Sequence, residues 1–145
     1  MDYQTLNLLF RCSKEFSHEK IRLQELSDTE CMICSYIHSS DGCSQDDVAE
    51  ALKTDKTTVA KALACLEEKN CVTRTVDEAD RRVKRLSLTS SGREKTETLV
   101  KVHNDWLSRV MECLSEDEKT QFENCCGRLL SAAENLRKEN GENKR

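Results

Sequence analysis

The sequence predicts a mainly α-helical protein with one small β-hairpin. The chain of 145 residues has no proline and only four glycines, so few helix breaks and tight turns are expected. Aromatic residues make up 4% of it, which argues against a β-sandwich or barrel. Apolar residues recur at three- and four-residue intervals, except for an alternating stretch between residues 71 and 88.

The first two helices are predicted from an apolar stripe and a capping sequence. The stripe over residues 3–18 consists of Leu6, Leu9, Phe10 and Phe16. A second helix is expected to start at Ser27 or Asp28, because Ser-Asp-Thr-Glu offers side-chain oxygens to the free amides of a first turn. It is expected to end near Ser39, where the sequence Ser-Ser-Asp-Gly favours a turn.

Two further helices follow, separated by a tight turn. Ser44 and Asp47 have the spacing of a capping box that opens a short helix, and residues 53–55 form the turn. The helix over residues 55–69 has the clearest apolar stripe of the chain, made of Val59, Ala62, Leu63 and Leu66. Its opposite face is basic, hydroxylated and small, and consists of Lys56, Thr57, Ala60, Lys61 and Ala64. Asn70 is suited to end this helix, since asparagine tolerates the left-handed conformation.

The rest of the chain predicts a hairpin and two long helices. Residues 71–76 and 83–88 are β-branched or alternating, with a charged tip over residues 77–82. A helix then restarts at Ser90 or Ser91 and runs to Leu114, and Ser115 opens a last helix with a second capping box. Residues 139–145 are expected to be a disordered tail.

The distribution of charge points to a polyanionic partner. The chain has a net charge of -4, yet residues 53–93 contain ten Lys or Arg and six Asp or Glu. One basic segment in an otherwise acidic chain is typical of a nucleic-acid contact. The N-terminus has no basic region followed by an apolar run, and no apolar stretch approaches the roughly 20 residues of a membrane span, so a cytoplasmic protein is expected.

A short helix, a tight turn, a helix with a polar outer face and a hairpin with a basic tip occur in the order of a winged helix-turn-helix domain. In such a domain the second helix fits the DNA major groove, and the hairpin, or wing, reaches the flanking minor groove or the phosphates. A helical interaction module without DNA binding would leave the basic hairpin unexplained.

These residues resemble the MarR family of bacterial and archaeal transcriptional regulators. The resemblance is carried by Thr-Thr-Val-Ala-Lys-Ala-Leu at 57–63, Leu-Glu-Glu-Lys-Asn-Cys-Val at 66–72, Asp-Arg-Arg-Val at 80–83 and Leu-Ser-Leu-Thr-Ser-Ser-Gly at 86–92. The sequence departs from the family pattern at Asn70, where glycine is usual, and at Cys34 and Cys71, where leucine-like residues are usual.

The resemblance implies a homodimer with a winged helix-turn-helix domain over residues 26–91 and a helical dimerisation region over residues 1–25 and 92–138. Candidate dimer contacts are Leu6, Leu9, Phe10, Trp106, Val110, Phe122 and Leu129. The protein is expected to bind a pseudo-palindromic double-stranded DNA operator, to repress or activate nearby genes, with repression favoured, and to be released by a small-molecule or oxidative signal.

The DNA contacts are expected on the second helix of the motif and on the wing. By resemblance, Thr57, Thr58 and Lys61 face the DNA, and Asp80 orients Arg82 towards the minor groove. The full candidate set is Lys53, Lys56, Thr57, Thr58, Lys61, Asp80, Arg81, Arg82 and Lys84. Because Lys84 and Arg85 alternate along a strand, at most one of them is expected to face the phosphates.

The nine cysteines leave several interpretations open. Cys31, Cys34 and His38 have a helical spacing that could offer metal ligands, but burial in the core is the favoured interpretation. Cys12, Cys125 and Cys126 are candidate redox-sensing thiols, and a cysteine-based redox protein or thiol oxidoreductase is the alternative function. Most thiols are expected to be buried and inert, with Cys65 and at least one of Cys12, Cys125 and Cys126 more accessible. No catalytic motif, cofactor or metal site is predicted.

Overall fold

The protein is mainly helical with a small antiparallel sheet, as the sequence predicts. The computed structural model describes residues 2–142, without the side chains of Ile21 and residues 137–142. It divides into one unit up to Trp106 and a second from Leu107 on. The elements are α1 (Tyr3–Leu23), α2 (Asp28–Ser39), β1 (Cys43–Ser44), α3 (Gln45–Ala51), α4 (Lys56–Glu68), β2 (Val72–Val76), β3 (Lys84–Leu88), α5 (Ser90–Val110), a 3-10 turn (Met111–Cys113) and α6 (Glu116–Glu142).

The predicted hairpin belongs to a three-stranded sheet with the strand order β1-β3-β2. Strands β2 and β3 pair antiparallel from Val72 opposite Leu88 to Val76 opposite Lys84. The additional strand β1 has only two residues and pairs with the other edge of β3. The sequence analysis missed it because two residues are too few to show an alternating pattern.

Side-chain caps fix the starts of α2, α3 and α4 in the first unit. Ser27 and Glu30 form a reciprocal capping box at α2, and Ser44 and Asp47 form another at α3. At α4 the Asp55 carboxylate accepts a hydrogen bond from the backbone amide of Thr58 at 2.9 Å. All three helices therefore begin where their cap residues predict.

One apolar core holds α2, α3, α4 and the sheet together. Its fully buried aliphatic side chains are Ile33, Ile37, Val48, Val59, Leu63, Leu66 and Leu86. Cys34 and Cys71 belong to the same cluster, where they pack as small apolar side chains. Leu99 of α5 also packs into it.

The connection after α4 is tight. Asn70 has a φ of 53°, which confirms the left-handed helix end expected for it. Its carbonyl accepts a hydrogen bond from the Thr89 hydroxyl at 2.6 Å, and the same hydroxyl caps the amide of Gly92 at 2.9 Å. A Cβ on Gly92 would lie 2.0 Å from the Cys71 carbonyl oxygen, so α5 starts against the beginning of the sheet at a distance that only glycine allows.

The apolar stripes of α1 and α6 are largely exposed in the single chain. On α1 the exposed large apolar residues are Tyr3, Leu6, Leu8, Leu9, Phe10, Phe16 and Leu23. On α6 they are Phe122, Leu129, Leu130 and Leu136. No helix in residues 2–142 is long and apolar enough to cross a membrane.

Three predicted boundaries are corrected. Helix α1 continues to Leu23 instead of ending at residue 18. Helix α5 ends at Val110, before a 3-10 turn, whereas a helix to Leu114 was expected. Helix α6 continues to Glu142, so residues 139–142 of the expected disordered tail are helical, and residues 143–145 lie outside the described residues.

Candidate DNA-binding interface

The outer face of α4 presents short and cationic side chains to solvent. Lys56, Thr57 and Lys61 are exposed, and the small side chains of Ala60 and Ala64 on the same predicted face let another surface approach the helix closely. The Thr58 hydroxyl is also exposed, but it donates a hydrogen bond to Asp55 at 2.6 Å and so belongs to the helix cap. This face has the size and polarity of a helix that reads base edges in a major groove.

Lys53 and Lys56 of the predicted set lie where α3 ends and α4 begins. The Lys56 Nζ lies 2.9 Å from a carboxylate oxygen of Asp46 on α3, with both side chains well exposed. This pair joins the first turns of α3 and α4 at the surface. Lys53 is exposed after α3 and has a φ of 54°, which places it in the turn between the two helices.

Asp77 organises the wing tip. One of its carboxylate oxygens accepts hydrogen bonds from the amides of Ala79 and Asp80 at 2.8 and 3.1 Å, and the other lies 2.6 Å from Arg85 Nε. The hydrogen bond from Arg85 is the main reason that the pKa of Asp77 lies below its ordinary value. The Arg85 Nη1 also donates to the Gly42 carbonyl at 3.4 Å, which connects the wing to the loop before β1.

Arg81, Arg82 and Lys84 are exposed at the tip and at the start of β3. The Asp80 carboxylate accepts a hydrogen bond from the backbone amide of Arg82 at 2.9 Å. It therefore fixes the backbone that carries Arg82, whereas the resemblance implied that it orients the arginine side chain. Lys84 and Arg85 differ as the strand alternation predicts, since Lys84 is exposed and Arg85 is half-buried against Asp77.

A cleft of about 280 Å³ lies between α3 and the wing. We call it the wing cleft; its polar lining residues are Ser44, Gln45, Asp46, Arg74, Arg82 and Lys84. Arg74 and Gln45 were not among the predicted site residues. Arg74 stands between two threonines on β2, and the signal that could have identified it is the strand register, which places it opposite Leu86 beside β1.

A second, larger cavity of about 510 Å³ lies between α1, α2 and α5. Met32, Tyr36 and Leu52 give it an apolar wall. Its polar rim consists of Lys14, Ser17, Asp28, Ser35 and His103. The Lys14 Nζ lies 2.9 Å from an Asp28 carboxylate oxygen, so an ion pair joins α1 to the start of α2.

The thiols divide into two groups. Cys31, Cys34, Cys43 and Cys71 are buried, whereas Cys12, Cys65, Cys113, Cys125 and Cys126 are exposed in the single chain. The expectation that most thiols are buried is therefore wrong for one chain, whereas the expected accessibility of Cys65 on α4 is confirmed. Among the side chains that the structure describes, no three of His, Cys, Asp or Glu are grouped as metal ligands.

Burial keeps the Cys31 and Cys34 thiols protonated. Desolvation raises the pKa of Cys31 to about 11 and that of Cys34 to about 12. A protonated thiol is a poor nucleophile, so these two cysteines are not equipped for thiol-disulfide exchange at neutral pH. This geometry agrees with core packing and argues against a thiol-exchange role for these two cysteines.

The fold and this surface define a winged helix-turn-helix protein. The family model described as the MarR family matches residues 18–84. The transcriptional regulator BilQ of Clostridium symbiosum is 30% identical over 111 residues, which cover 77% of this chain and 74% of BilQ. The transcriptional repressor MdtR of Bacillus subtilis is 26% identical over 136 residues, which cover 94% of this chain and 88% of MdtR.

Solved structures agree with these sequence relatives. The crystal structure of MarR has a TM-score of 0.78 at 29% identity and covers 96% of this chain and 98% of its own. The MepR-DNA complex of S. aureus has a TM-score of 0.77 at 26% identity and covers 92% of this chain and 99% of its own. The chain belongs to the MarR family. It is a transcriptional regulator of that family, and not an enzyme.

Proposed function

We propose that the protein binds a pseudo-palindromic DNA operator as a homodimer and represses nearby genes until a signal releases it. One observation carries this proposal: two surfaces suited to DNA are exposed on the same unit. They are the small and basic face of α4 and the wing, whose backbone is fixed by Asp77 and Asp80. A cytoplasmic location, where operator DNA is found, follows from it. The solved complex of the similar MepR with DNA supports this use of the fold.

Dimerisation is proposed from the apolar surface that the single chain leaves uncovered. Leu9 and Phe10 on α1 are 41% and 63% exposed, and Phe122 and Leu129 on α6 are 44% and 62% exposed. Solvent-exposed stripes of this kind are typical of protein interfaces. Leu6 and Val110 are also exposed and Trp106 is half-buried, so all the predicted interface residues keep surface for a second copy to cover.

Repression is proposed from the relatives and from steric competition. The related MdtR is described as a repressor, and MepR as a regulator of a multidrug efflux pump. A dimer that occupies two half-sites about one helical turn apart would exclude other proteins from that stretch of DNA. The sign of regulation is tested by transcribing a template that carries the selected operator, with and without the protein.

The releasing signal is proposed to be a small, largely apolar molecule with a polar group. The cavity between α1, α2 and α5 is large enough for such a ligand, and its apolar wall is bordered by Lys14, Asp28 and His103. The alternative signal is oxidation of Cys12, Cys125 or Cys126, which are exposed in the single chain.

The two signals are distinguished by their residues. Replacing Tyr36 with Ala should remove the response to a cavity ligand, whereas replacing Cys12, Cys125 and Cys126 with Ser should remove a response to peroxide. The readout is the affinity for operator DNA. If neither peroxide nor a panel of apolar ligands changes the affinity of the wild type, release by these two signals is refuted.

DNA binding itself is tested by selecting sequences from random duplexes with the purified protein. The selected sites should have two-fold symmetry. Lys61→Ala should relax base preference at one position of each half-site, by about 1–3 kcal/mol against the wrong base. Arg82→Ala should weaken binding to all sequences and flatten the salt dependence by about one unit of log-log slope for each phosphate that is no longer neutralised. Absence of any sequence preference in the selection would refute operator recognition.

A further inference from the structure

The wing cleft joins the two surfaces that are proposed to contact DNA. At one end the Asp46 carboxylate is paired with Lys56 of α4 at 2.9 Å, and at the other end Arg82 belongs to the wing tip. A protein that places a helix in the major groove and a wing in the adjacent minor groove must straddle the sugar-phosphate strand between them. The wing cleft lies where that strand would pass.

The charge of the wing cleft fits an anion. Three cationic side chains line it, those of Arg74, Arg82 and Lys84, together with one carboxylate, that of Asp46. The Asp46 carboxylate is paired with Lys56, and Arg74 is paired with Glu67, both partners lying outside the cleft lining. The formal charge of the cleft stays positive when these two partners are included. A phosphodiester group carries one negative charge, accepts several hydrogen bonds and is the usual partner of clustered arginine and lysine side chains.

Arg74 is held in place before any ligand arrives. Its Nε lies 3.0 Å from a carboxylate oxygen of Glu67 on α4, close enough for an ion pair but out of line for a hydrogen bond. Its Nη1 donates to the side-chain oxygen of Gln45 at 3.4 Å. The side chain is 21% exposed, so these two partners fix the guanidinium while part of it faces the cleft. An arginine with this restriction loses little conformational freedom when it binds phosphate.

We propose that the wing cleft binds one phosphodiester group of the DNA backbone, with Arg74 as its central contact and Gln45 as a positioning residue. This inference rests on the proposed function and extends it to residues outside the predicted set. Binding of this phosphate fixes the position of the duplex without reading its sequence. Arg74 thereby sets the distance between the helix in one groove and the wing in the next.

The test measures binding to a mixed-sequence 30-base-pair duplex over a range of salt concentrations. Arg74→Gln should lower the slope of log affinity against log salt by about one unit for each subunit bound, because each subunit then neutralises one phosphate fewer. Arg93→Gln is the matched control, since Arg93 is an exposed arginine of α5 outside the wing cleft, and it should leave the slope unchanged. Arg74→Lys retains the charge and should keep most of the slope.

The outcomes separate the alternatives. An unchanged slope for Arg74→Gln, or an equal reduction for Arg93→Gln, overturns the proposal. If pyrophosphate binds the wild type in a way that depends on Arg74 but does not compete with the duplex, the site takes free anions and its assignment to the DNA backbone is wrong. Circular dichroism of each variant checks the fold. If Arg74→Gln does not fold, Gln45→Glu supplies the test, because a carboxylate beside Arg74 in the cleft should repel the phosphate and lower the affinity for the duplex, and an unchanged affinity would overturn the proposal. The duplex has no operator sequence, so failure of operator recognition would be seen separately.

Discussion

The winged lobe, from α2 to β3, and helix α6 use apolar residues in opposite ways. In the winged lobe, Leu63 and Leu66 of α4 are fully buried within the same chain. In α6, Leu129 and Leu130 are 62% and 63% exposed, and nearly every side chain from residue 116 to 136 faces solvent. Helices α4 and α6 both have amphipathic sequences, yet only the apolar stripe of α4 is buried within the single chain.

This difference shows which part of the structure the chain specifies alone. A helix with a buried stripe gains stability from tertiary packing, whereas an exposed stripe contributes little until another surface covers it. The packing contacts that stabilise the winged lobe therefore lie within the single chain. The stability of α6 is expected to depend on association, so substitutions in the two regions should respond differently to protein concentration.

The largest effect is expected from truncating the core of the winged lobe. Leu63→Ala should lower the free energy of unfolding by about 2–5 kcal/mol, because it removes a fully buried side chain and leaves a cavity. Leu23→Ala is the matched control, since Leu23 is 70% exposed, and it should change stability by less than about 0.5 kcal/mol. Urea denaturation at one fixed protein concentration measures both. Equal losses of stability in the two variants would contradict the assignment of the core.

A smaller effect is expected at the ion pair that links α2 to the end of α4. The Glu30 side chain is 5% exposed, and its carboxylate lies 2.8 Å from Lys69 Nζ, which also donates to the Glu25 carbonyl. Burial alone would raise the pKa of Glu30, but hydrogen bonds from Lys69 and Ser27 outweigh it, so this pKa lies below its ordinary value. The ionised carboxylate is therefore favoured by folding.

Lys69→Met should leave that buried carboxylate without its cation and cost about 1–3 kcal/mol at neutral pH. A carboxyl group with a lowered pKa in the folded state stabilises the protein above its unfolded pKa, and the contribution is lost as the pH falls through the folded value. The difference between variant and wild type should therefore shrink on acidification. Denaturation curves at neutral and acidic pH measure it, and a difference that persists when Glu30 is protonated would show that packing of Lys69 is responsible.

The sequence predicted the winged lobe well because its signals are local. Cap residues such as Ser27, Ser44 and Asp55 mark helix starts, and the stripe through Leu63 and Leu66 has one periodicity throughout. The left-handed conformation of Asn70 is also a local property. For these residues, hydrogen bonds within a few positions along the chain decide the structure.

Other features depend on contacts between distant residues and could not be predicted in this way. Strand β1 exists because Cys43 pairs with Leu86, and the close approach at Gly92 is set by the carbonyl of Cys71. The wing cleft requires Gln45 and Arg74, which are 29 residues apart, to meet. The periodicity of neither segment predicts this contact. The exposure of the α6 thiols likewise depends on whether a second copy is present.

The next effect concerns association. Leu129 should lose its exposed surface in the proposed dimer, so Leu129→Ala should weaken association by about 1–2 kcal/mol per subunit, from the transfer of a leucine that is 62% exposed beforehand. The free energy of unfolding of the winged lobe should not change, because Leu129 lies on α6. Sedimentation over a range of concentrations measures the dissociation constant. A wild type that stays monomeric at micromolar concentration would refute the dimer and, with it, the symmetric operator.

The smallest expected effect is the loss of a helix cap, and the two regions can be compared because each contains a capping box. Ser44 accepts a hydrogen bond from the Asp47 amide at 3.2 Å and donates its own amide to the Asp47 carboxylate at 2.8 Å; Ser115 and Glu118 repeat this arrangement at α6. Ser44→Ala should cost about 1 kcal/mol and Ser44→Gly less, since glycine is also tolerated at this position. The destabilisation should be independent of protein concentration, because α3 packs within its own chain.

Ser115→Ala removes an equivalent cap from a helix whose apolar side chains are largely exposed. Its effect on unfolding should become visible only at concentrations where α6 is associated, because removing the cap of an unassociated helix affects only local fraying. Hydrogen exchange of the α3 and α6 amides, followed at low and high protein concentration, separates the two variants. If protection of α6 proves as high as that of α3 at the lowest concentration, α6 is stabilised within its own chain, and the contrast between the two regions does not hold.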